Sequence, residues 1–191
     1  MRRFESARIY LRLLSASDIN EDLMSWFEDE TLMKFYTNSG RKITQKSLTR
    51  SMLEGQRKRN DFTYGIFLKE NGKCIGTLKL GPINHVHKTS DLATLLGNKT
   101  YHGRGLAIEA IRLGNKMAFE YYGLRKLVSG IYESNVASIK AYTRAGWVIE
   151  GRLTGHYLVD GQAEDRILIG CFNPLYFTPE EIANARYTDS R

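Results

Sequence analysis

Cysteine and uninterrupted apolar sequence are both scarce in this chain of 191 residues, and each shortage removes a class of protein. Only Cys74 and Cys171 are present. They lie far apart, with no second cysteine or histidine nearby at ligand spacing, which argues against a disulfide framework or a zinc site. Both are expected as packed thiols, and no metal is expected. The N-terminus reads MRRFESARIYLRL. Charges break every apolar stretch there, so neither a secretory leader nor a spanning helix is available, and the expected setting is cytoplasmic without a membrane partner. No repeat, low-complexity tract or long linker divides the chain, so residues 1–191 read as one domain.

Acidic residues are also in the minority: 28 Lys and Arg against 21 Asp and Glu give a formal net charge of +7. That balance favours polyanionic company without choosing among nucleic acid, ribosome, anionic lipid and a phosphorylated cofactor. The basic clusters at Arg41 and Lys42 and at Arg57, Lys58 and Arg59 read as solvated helix ends or loops. No aromatic-rich basic strand or recognition helix is present, so direct nucleic-acid recognition is not expected.

What is present alternates between strand and helix periods. Ile9, Leu11 and Leu13 alternate with Tyr10 and Arg12, which predicts a first strand. Ser17 is placed to cap a helix with Ile19, Leu23, Trp26 and Phe27 on one face, and Thr44 to cap a second, with Leu48, Met52 and Leu53 buried and an end near Gly55 or the basic run. Residues 62–68 and 74–80 predict a hairpin around a two-residue Asn71-Gly72 turn. Pro82 should end the second strand, and a polar connection holding His85 and His87 should cross to a short strand at 92–96. Residues 106–122 have helical spacing up to Gly123. A strand at 126–132, a helix at 135–145, strands at 147–150 and 155–159, an Asp160-Gly161 turn and a strand at 167–171 follow. Thr178-Pro179-Glu180-Glu181 has the form of a capping box with proline in the first helical position.

Chemistry concentrates in Tyr101-His102-Gly103-Arg104-Gly105-Leu106-Ala107, between a predicted strand and a long helix. Glycines let the backbone approach a ligand, and the N–H groups opening a helix attract phosphate, so the loop reads as a pyrophosphate site; a ligand-free strand-to-helix turn is the plain alternative. It is not a P-loop, lacking Gly-Lys-Ser/Thr. Nor is it a dinucleotide fingerprint, because Ile108 holds the third glycine position and residues 125–127 read Arg-Lys-Leu where an acid is required.

This loop resembles the acetyl-CoA loop of the GNAT acetyltransferases, Arg/Gln-x-x-Gly-x-Gly/Ala, with His102, Gly105 and Ala107 at the defining positions and histidine in place of Arg or Gln. The segment 133–147, with Asn135, Ser138, Tyr142 and Gly146-Trp147, is similar to the family's Asn-x-x-Ser/Ala…Tyr-x-x-x-Gly-Phe helix and strand. Ile9-Tyr10-Leu11-Arg12-Leu13 with Ser17-Asp18, Trp26-Phe27-Glu28-Asp29, Ile75-Gly76 and Glu150-Gly151-Arg152-Leu153 with Asp160-Gly161 and Asp165 resemble the RimJ/RimL-like ribosomal-protein N-acetyltransferase branch. Residues 79–87 are similar to amino-sugar-modifying relatives. The resemblance covers about residues 8–172, leaving 173–191 as a short helical extension.

The resemblance implies an α/β (α+β) fold: one mixed, mostly antiparallel twisted sheet flanked by helices, with a central βαβ unit for acetyl-CoA as co-substrate. It implies an N-acetyltransferase passing the acetyl group directly to a primary amine in a ternary complex. His102, Gly103, Arg104, Gly105, Leu106 and Ala107 would hold the pyrophosphate, and Leu95 and Leu96 would lie beside the pantetheine arm, a backbone N–H such as that of Leu95 polarising the thioester. Asn135 and Ser138 would meet the cofactor, and Tyr142 would approach the sulfur as general acid, its alternative being a core tyrosine with a satisfied hydroxyl. Asp91 is the first choice for general base, with His85, His87, Glu133 and a water chain open beside it. A protein N-terminus or a nucleotide-linked amino sugar leads as acceptor. A polyamine or other small amine is the alternative, less suited to a basic chain, and a catalytically silent acyl-CoA-binding module is a further one. A homodimer is left open.

Overall fold

The computed structural model describes residues 2–36 and 42–188, which leaves Arg41 outside the described residues. Among the described residues eight strands form one sheet, β1 (Arg3–Glu5), β2 (Ile9–Leu13), β3 (Phe62–Leu68), β4 (Cys74–Asn84), β5 (Thr89–Leu95), β6 (Lys126–Tyr132), β7 (Val148–Val159) and β8 (Gln162–Phe172). Their spatial order is β1-β2-β3-β4-β5-β6-β8-β7. Every neighbouring pair is antiparallel except β5 and β6, which run parallel. Parallel neighbours need a crossover, and α4 (Leu106–Lys116) supplies it. The expected mixed sheet with a central βαβ unit is therefore present.

Local chemistry accounts for most departures from the sequence reading. The first strand is β1, a three-residue edge piece too short to carry a period. Asn20, rather than Ser17, caps α1 (Glu21–Glu28), its side chain accepting from the Leu23 N–H, while Asp29 caps the short α2 (Glu30–Met33). Thr44 does cap α3 (Gln45–Lys58), but Leu53 is exposed and Gly55 lies inside the helix, where a methyl group would meet Asp61. The β3–β4 connection spans 69–73 instead of two residues, with a register shift between Ile66 and Phe67. Pro82 does not end β4. The ladder shifts between Leu80 and Ile83, and an irregularity of that kind tolerates a residue without an N–H. The histidine segment is a tight antiparallel turn instead of a crossover, and β7 joins two expected strands through shifts at Ile149/Gly151 and Leu153/Tyr157. Asp160-Gly161 forms the expected two-residue turn, both residues at positive φ.

Two apolar layers sandwich the sheet. On one face Leu106, Ala110, Ile111 and Met117 pack on Leu78, Leu92, Leu127 and Ile169, and α5 (Val136–Arg144) adds Tyr142. On the other, Leu23, Trp26 and Met52 cover Phe67 and Leu14. Burying side chains of this size contributes about 1.5–3 kcal/mol each, so the sheet's position between the helices is strongly set. α6 (Pro179–Asn184) begins with the expected capping box at Thr178.

Candidate active site

The site begins where β5 and β6 part. They pair only at Thr89–Lys126, Ser90–Leu127 and Asp91–Val128, after which the strands diverge. Each strand keeps its other neighbour, β4 and β8 respectively, so the divergence opens a slot in the middle of the sheet. Backbone polar groups on its lips have lost their ladder partners and need others.

Tyr142 meets that need on one lip. Its hydroxyl donates to the Leu92 carbonyl at 3.1 Å and lies 3.4 Å from the Thr94 Oγ1. The ring is 5% exposed and stands edge-on to Trp147 at 4.9 Å, so it has one available position. Burial pushes the phenol up to about 12, with the Thr94 hydroxyl and N–H acting in the opposite sense. The group is a neutral proton donor across the whole neutral range.

Strand alternation decides which other groups face the slot. Leu92 and Thr94 turn their backbone groups toward Tyr142. The Leu95 carbonyl instead lies against Gly76 on β4, where an added methyl group would overlap it. The slot-facing N–H is thus that of Thr94, not Leu95. Leu96 begins the connection to α4, and its carbonyl accepts from the His102 Nε2 at 2.7 Å.

That bond explains how histidine is accommodated at 102: the imidazole folds back and pins the glycine loop. Gly103 and Gly105 both have φ of 74°, and no described residue comes within 4 Å of a methyl group built on Gly103. The left-handed turn at Gly105 ends in α4 with no side-chain cap, so the helix's first N–H groups remain for a ligand. Arg104 stacks over Tyr101 at 5.3 Å, and Arg8 donates to the Arg104 carbonyl at 2.9 Å while pairing with Glu109. Arg8, Arg112, Lys116 and Arg144 line a shallow groove beside Gly105. An open glycine cradle at an uncapped helix start, with cations alongside, fits a pyrophosphate. Nothing in the sequence period marks Arg8, which arrives from β2's side of the molecule.

The remaining expected residues are distributed unevenly. Asn135 caps α5, its Oδ1 accepting from the Ser138 N–H at 3.2 Å, and so opens the helix that carries Tyr142. Asp91 is the last β5 residue paired with β6, and it faces away from Leu92 and Tyr142. Partial desolvation of its carboxyl raises it above the ordinary carboxylate range, with Arg166 and Lys79 opposing. The histidines are elsewhere: His85 Nε2 lies 3.2 Å from the Arg59 carbonyl, and His87 sits in the same turn, at the opposite end of β5 from the slot's opening. Glu133 is ion-paired with Arg152, which also holds Asp165.

Sequence reasoning did not find the walls of Asp91's side of the sheet. Tyr132 and Tyr157 stack at 3.9 Å, Phe35 leans on Tyr132 at 5.6 Å, and His156 and Arg166 stand beside Tyr157. These residues come from α2's end and from three strands; no short motif could join them. The Trp-x-x-Asp segment gains a physical role here. Trp26 lies on Gly97, where any methyl group would overlap its ring, and Asp29 holds Lys99 at 2.5 Å, fixing the first helices to the loop leaving β5.

Comparison with known proteins agrees with this geometry. Residues 8–148 match the model of the acetyltransferase (GNAT) domain. A probable N-acetyltransferase, YjcK of Bacillus subtilis, is 26% identical over 175 residues, covering 87% of this chain and 94% of that protein. The spermidine N(1)-acetyltransferase of Escherichia coli is 29% identical over 106 residues, 56% of each chain. Among solved structures, Vibrio cholerae spermidine N-acetyltransferase in complex with CoA and spermine superposes with a TM-score of 0.81 at 17% identity, covering 90% of this chain and 99% of that one. The ribosomal-protein-S5-alanine acetyltransferase of Vibrio fischeri does so at 0.77 and 20%, covering 91% and 97%. With a parted parallel strand pair, a glycine cradle at a helix start and a family model spanning most of its length, this chain belongs to the GNAT acetyltransferases and is an N-acetyltransferase that uses acetyl-CoA as co-substrate.

Proposed function

We propose that the protein acetylates a single primary amine on a non-polycationic acceptor, a protein N-terminus or a nucleotide-linked amino sugar, by direct attack on acetyl-CoA bound in the β5–β6 slot. The observation that carries this reading is the Tyr142 hydroxyl standing at the unpaired lip of β5. The loop glycines and first N–H groups of α4 hold the pyrophosphate, with Arg112, Lys116 and Arg144 supplying positive surroundings. Asn135 and Ser138, at the start of α5, lie along the pantetheine, and the Thr94 N–H polarises the thioester carbonyl.

The amine approaches from the face that Asp91 occupies, opposite Tyr142. Asp91, directly or through water, takes a proton from the incoming ammonium. The amine nitrogen then bonds to the acetyl carbon and loses its second proton through Asp91, which has passed the first to solvent; the carbon–sulfur bond breaks, Tyr142 gives its proton to the departing thiolate, and the phenol is reprotonated from solvent. Placing acid and base on opposite faces of β5 suits a reaction whose two substrates arrive from opposite sides.

Similarity to spermidine acetyltransferases supports a polyamine acceptor instead, but the carboxylates around the groove favour the first reading. Among the described residues Asp29, Glu133, Glu150 and Asp165 are each ion-paired, and Glu164 accepts from the Ser134 N–H, so the groove offers an acceptor few carboxylates beyond Asp91. A polycation calls for several free carboxylates. Turnover of acetyl-CoA with N-terminal peptides, a nucleotide-linked amino sugar and spermidine separates the readings. The peptide or the sugar should exceed spermidine in kcat/KM by roughly tenfold or more, about 1.4 kcal/mol of discrimination. Preference for spermidine would overturn the acceptor assignment.

A further inference from the structure

Arg166 is charged, half-buried and without an acid. Arg8, Arg12 and Arg152 each have a carboxylate within ion-pairing distance, but among the described residues none stands within that distance of Arg166. Its Nη1 lies 3.4 Å from the His156 Nε2, and because a guanidinium only donates, that imidazole nitrogen must accept. Its Nε is buried and has no hydrogen-bond partner among the described residues. A shielded cation with unsatisfied donors costs stability unless something outside the chain completes it.

The surroundings hold the guanidinium in place. It lies against the backbone of Gly130, where an added methyl group would overlap the Nε, so glycine at 130 is what lets the arginine lie flat on β6. The Tyr157 ring, 5.7 Å from the Cζ and itself stacked on Tyr132, backs it. Gly130 is two residues past Val128, the last β6 residue paired with β5. Arg166 therefore stands over the β6 lip of the slot, close enough to act on the charge of Asp91 on the β5 lip.

We propose that Arg166 determines acceptor specificity by binding an oxyanion, carboxylate or phosphate, carried by the amine substrate a short distance from its nitrogen. The inference rests on the acetyl-transfer reading to identify this groove as the acceptor's. Asp91 attracts the ammonium on one lip and Arg166 takes the anion on the other, so the two charges set which way round the acceptor lies. An acceptor with a second ammonium in place of the anion meets like charge at Arg166, which disfavours polyamines on grounds separate from the count of free carboxylates. A planar fork suits either oxyanion by paired hydrogen bonds.

Two matched pairs of amines test this, one for each source of the anion: alanyl-glutamate amide against alanyl-glutamine amide, and glucosamine 1-phosphate against methyl glucosaminide. For each pair kcat/KM is measured by CoA release, and Kd by calorimetry on the CoA-loaded protein. In at least one pair the anionic member should be preferred at least roughly tenfold, a preference that shrinks to within about twofold in Arg166→Gln and falls in Gly130→Ala, which unseats the guanidinium. The pair that discriminates identifies the source. Equal treatment of both members in both pairs, or a preference that survives in both variants, overturns the proposal. Arg166-dependent binding without turnover of any amine would retain the anion site and reject the transfer reading.

Discussion

At the scale of single residues, Tyr142 and Gly105 separate chemistry from binding. The Tyr142 hydroxyl touches Leu92 and Thr94 at the slot's lip, while the ring fills core space beside Trp147. Tyr142→Phe keeps the ring and removes the proton, so turnover should fall roughly tenfold or more with acetyl-CoA affinity little changed; steady-state rates with a parallel titration of acetyl-CoA check this, and unchanged turnover would remove Tyr142 from the chemistry. Gly105 is the reverse case. Its φ of 74° is unsuited to a branched side chain, and the space above it is where phosphate oxygens would sit. Gly105→Val should raise the KM for acetyl-CoA by roughly tenfold or more, about 1.4 kcal/mol, and a normal KM would contradict the loop's assignment.

At the scale of elements, Asp18 shows how one side chain ties a strand to the helices above it. It accepts from both terminal nitrogens of Arg12 on β2, at 2.7 and 2.8 Å, and from the Ser15 N–H and hydroxyl. The Arg12 guanidinium first, then the Ser15 hydroxyl and N–H, hold its carboxyl well below the usual range, outweighing burial. A depressed carboxyl stabilises fully above the unfolded-state pKa of about 4 and loses that contribution as pH falls. Asp18→Ala should therefore cost about 1–2 kcal/mol at neutral pH, and the gap between variant and wild type should close on acidification below about pH 4. Denaturant midpoints at several pH values give the test; a gap independent of pH would place the stabilisation elsewhere.

Elements of this kind were legible to different degrees. Where period and cap agree, as at β6, α3 and the Thr178 box, the sequence predicts the element to within a few residues. It fails where tertiary pairing overrides local chemistry. Pro82 sits inside β4 because the ladder shifts around it, and β7 continues through Gly155 because Asp165 accepts from the Gly155 N–H at 2.7 Å, holding the irregular strand. The glycine cradle and Tyr142 were readable because they are local motifs. Thr94's part depends on strand alternation at the slot, and Arg166, Tyr132, Tyr157 and Phe35 converge from distant segments, so neither could be read from spacing.

At the scale of the whole molecule, topology makes the site. β8 inserts between β6 and β7, giving β6 a full antiparallel partner along its length, and β4 does the same for β5. The two half-sheets then part after three parallel pairs without leaving either strand unsupported. One opening thus has the uncapped start of α4 and Tyr142 on one face and Asp91 with its aromatic wall on the other. On the proposed reading both substrates are present together in that opening, with no acetyl group passed first to the protein. The direct test is the initial-rate pattern of CoA release as acetyl-CoA and an accepted amine are varied together. Intersecting double-reciprocal lines are predicted; parallel lines, the mark of an acetylated protein intermediate, would contradict direct transfer at the slot.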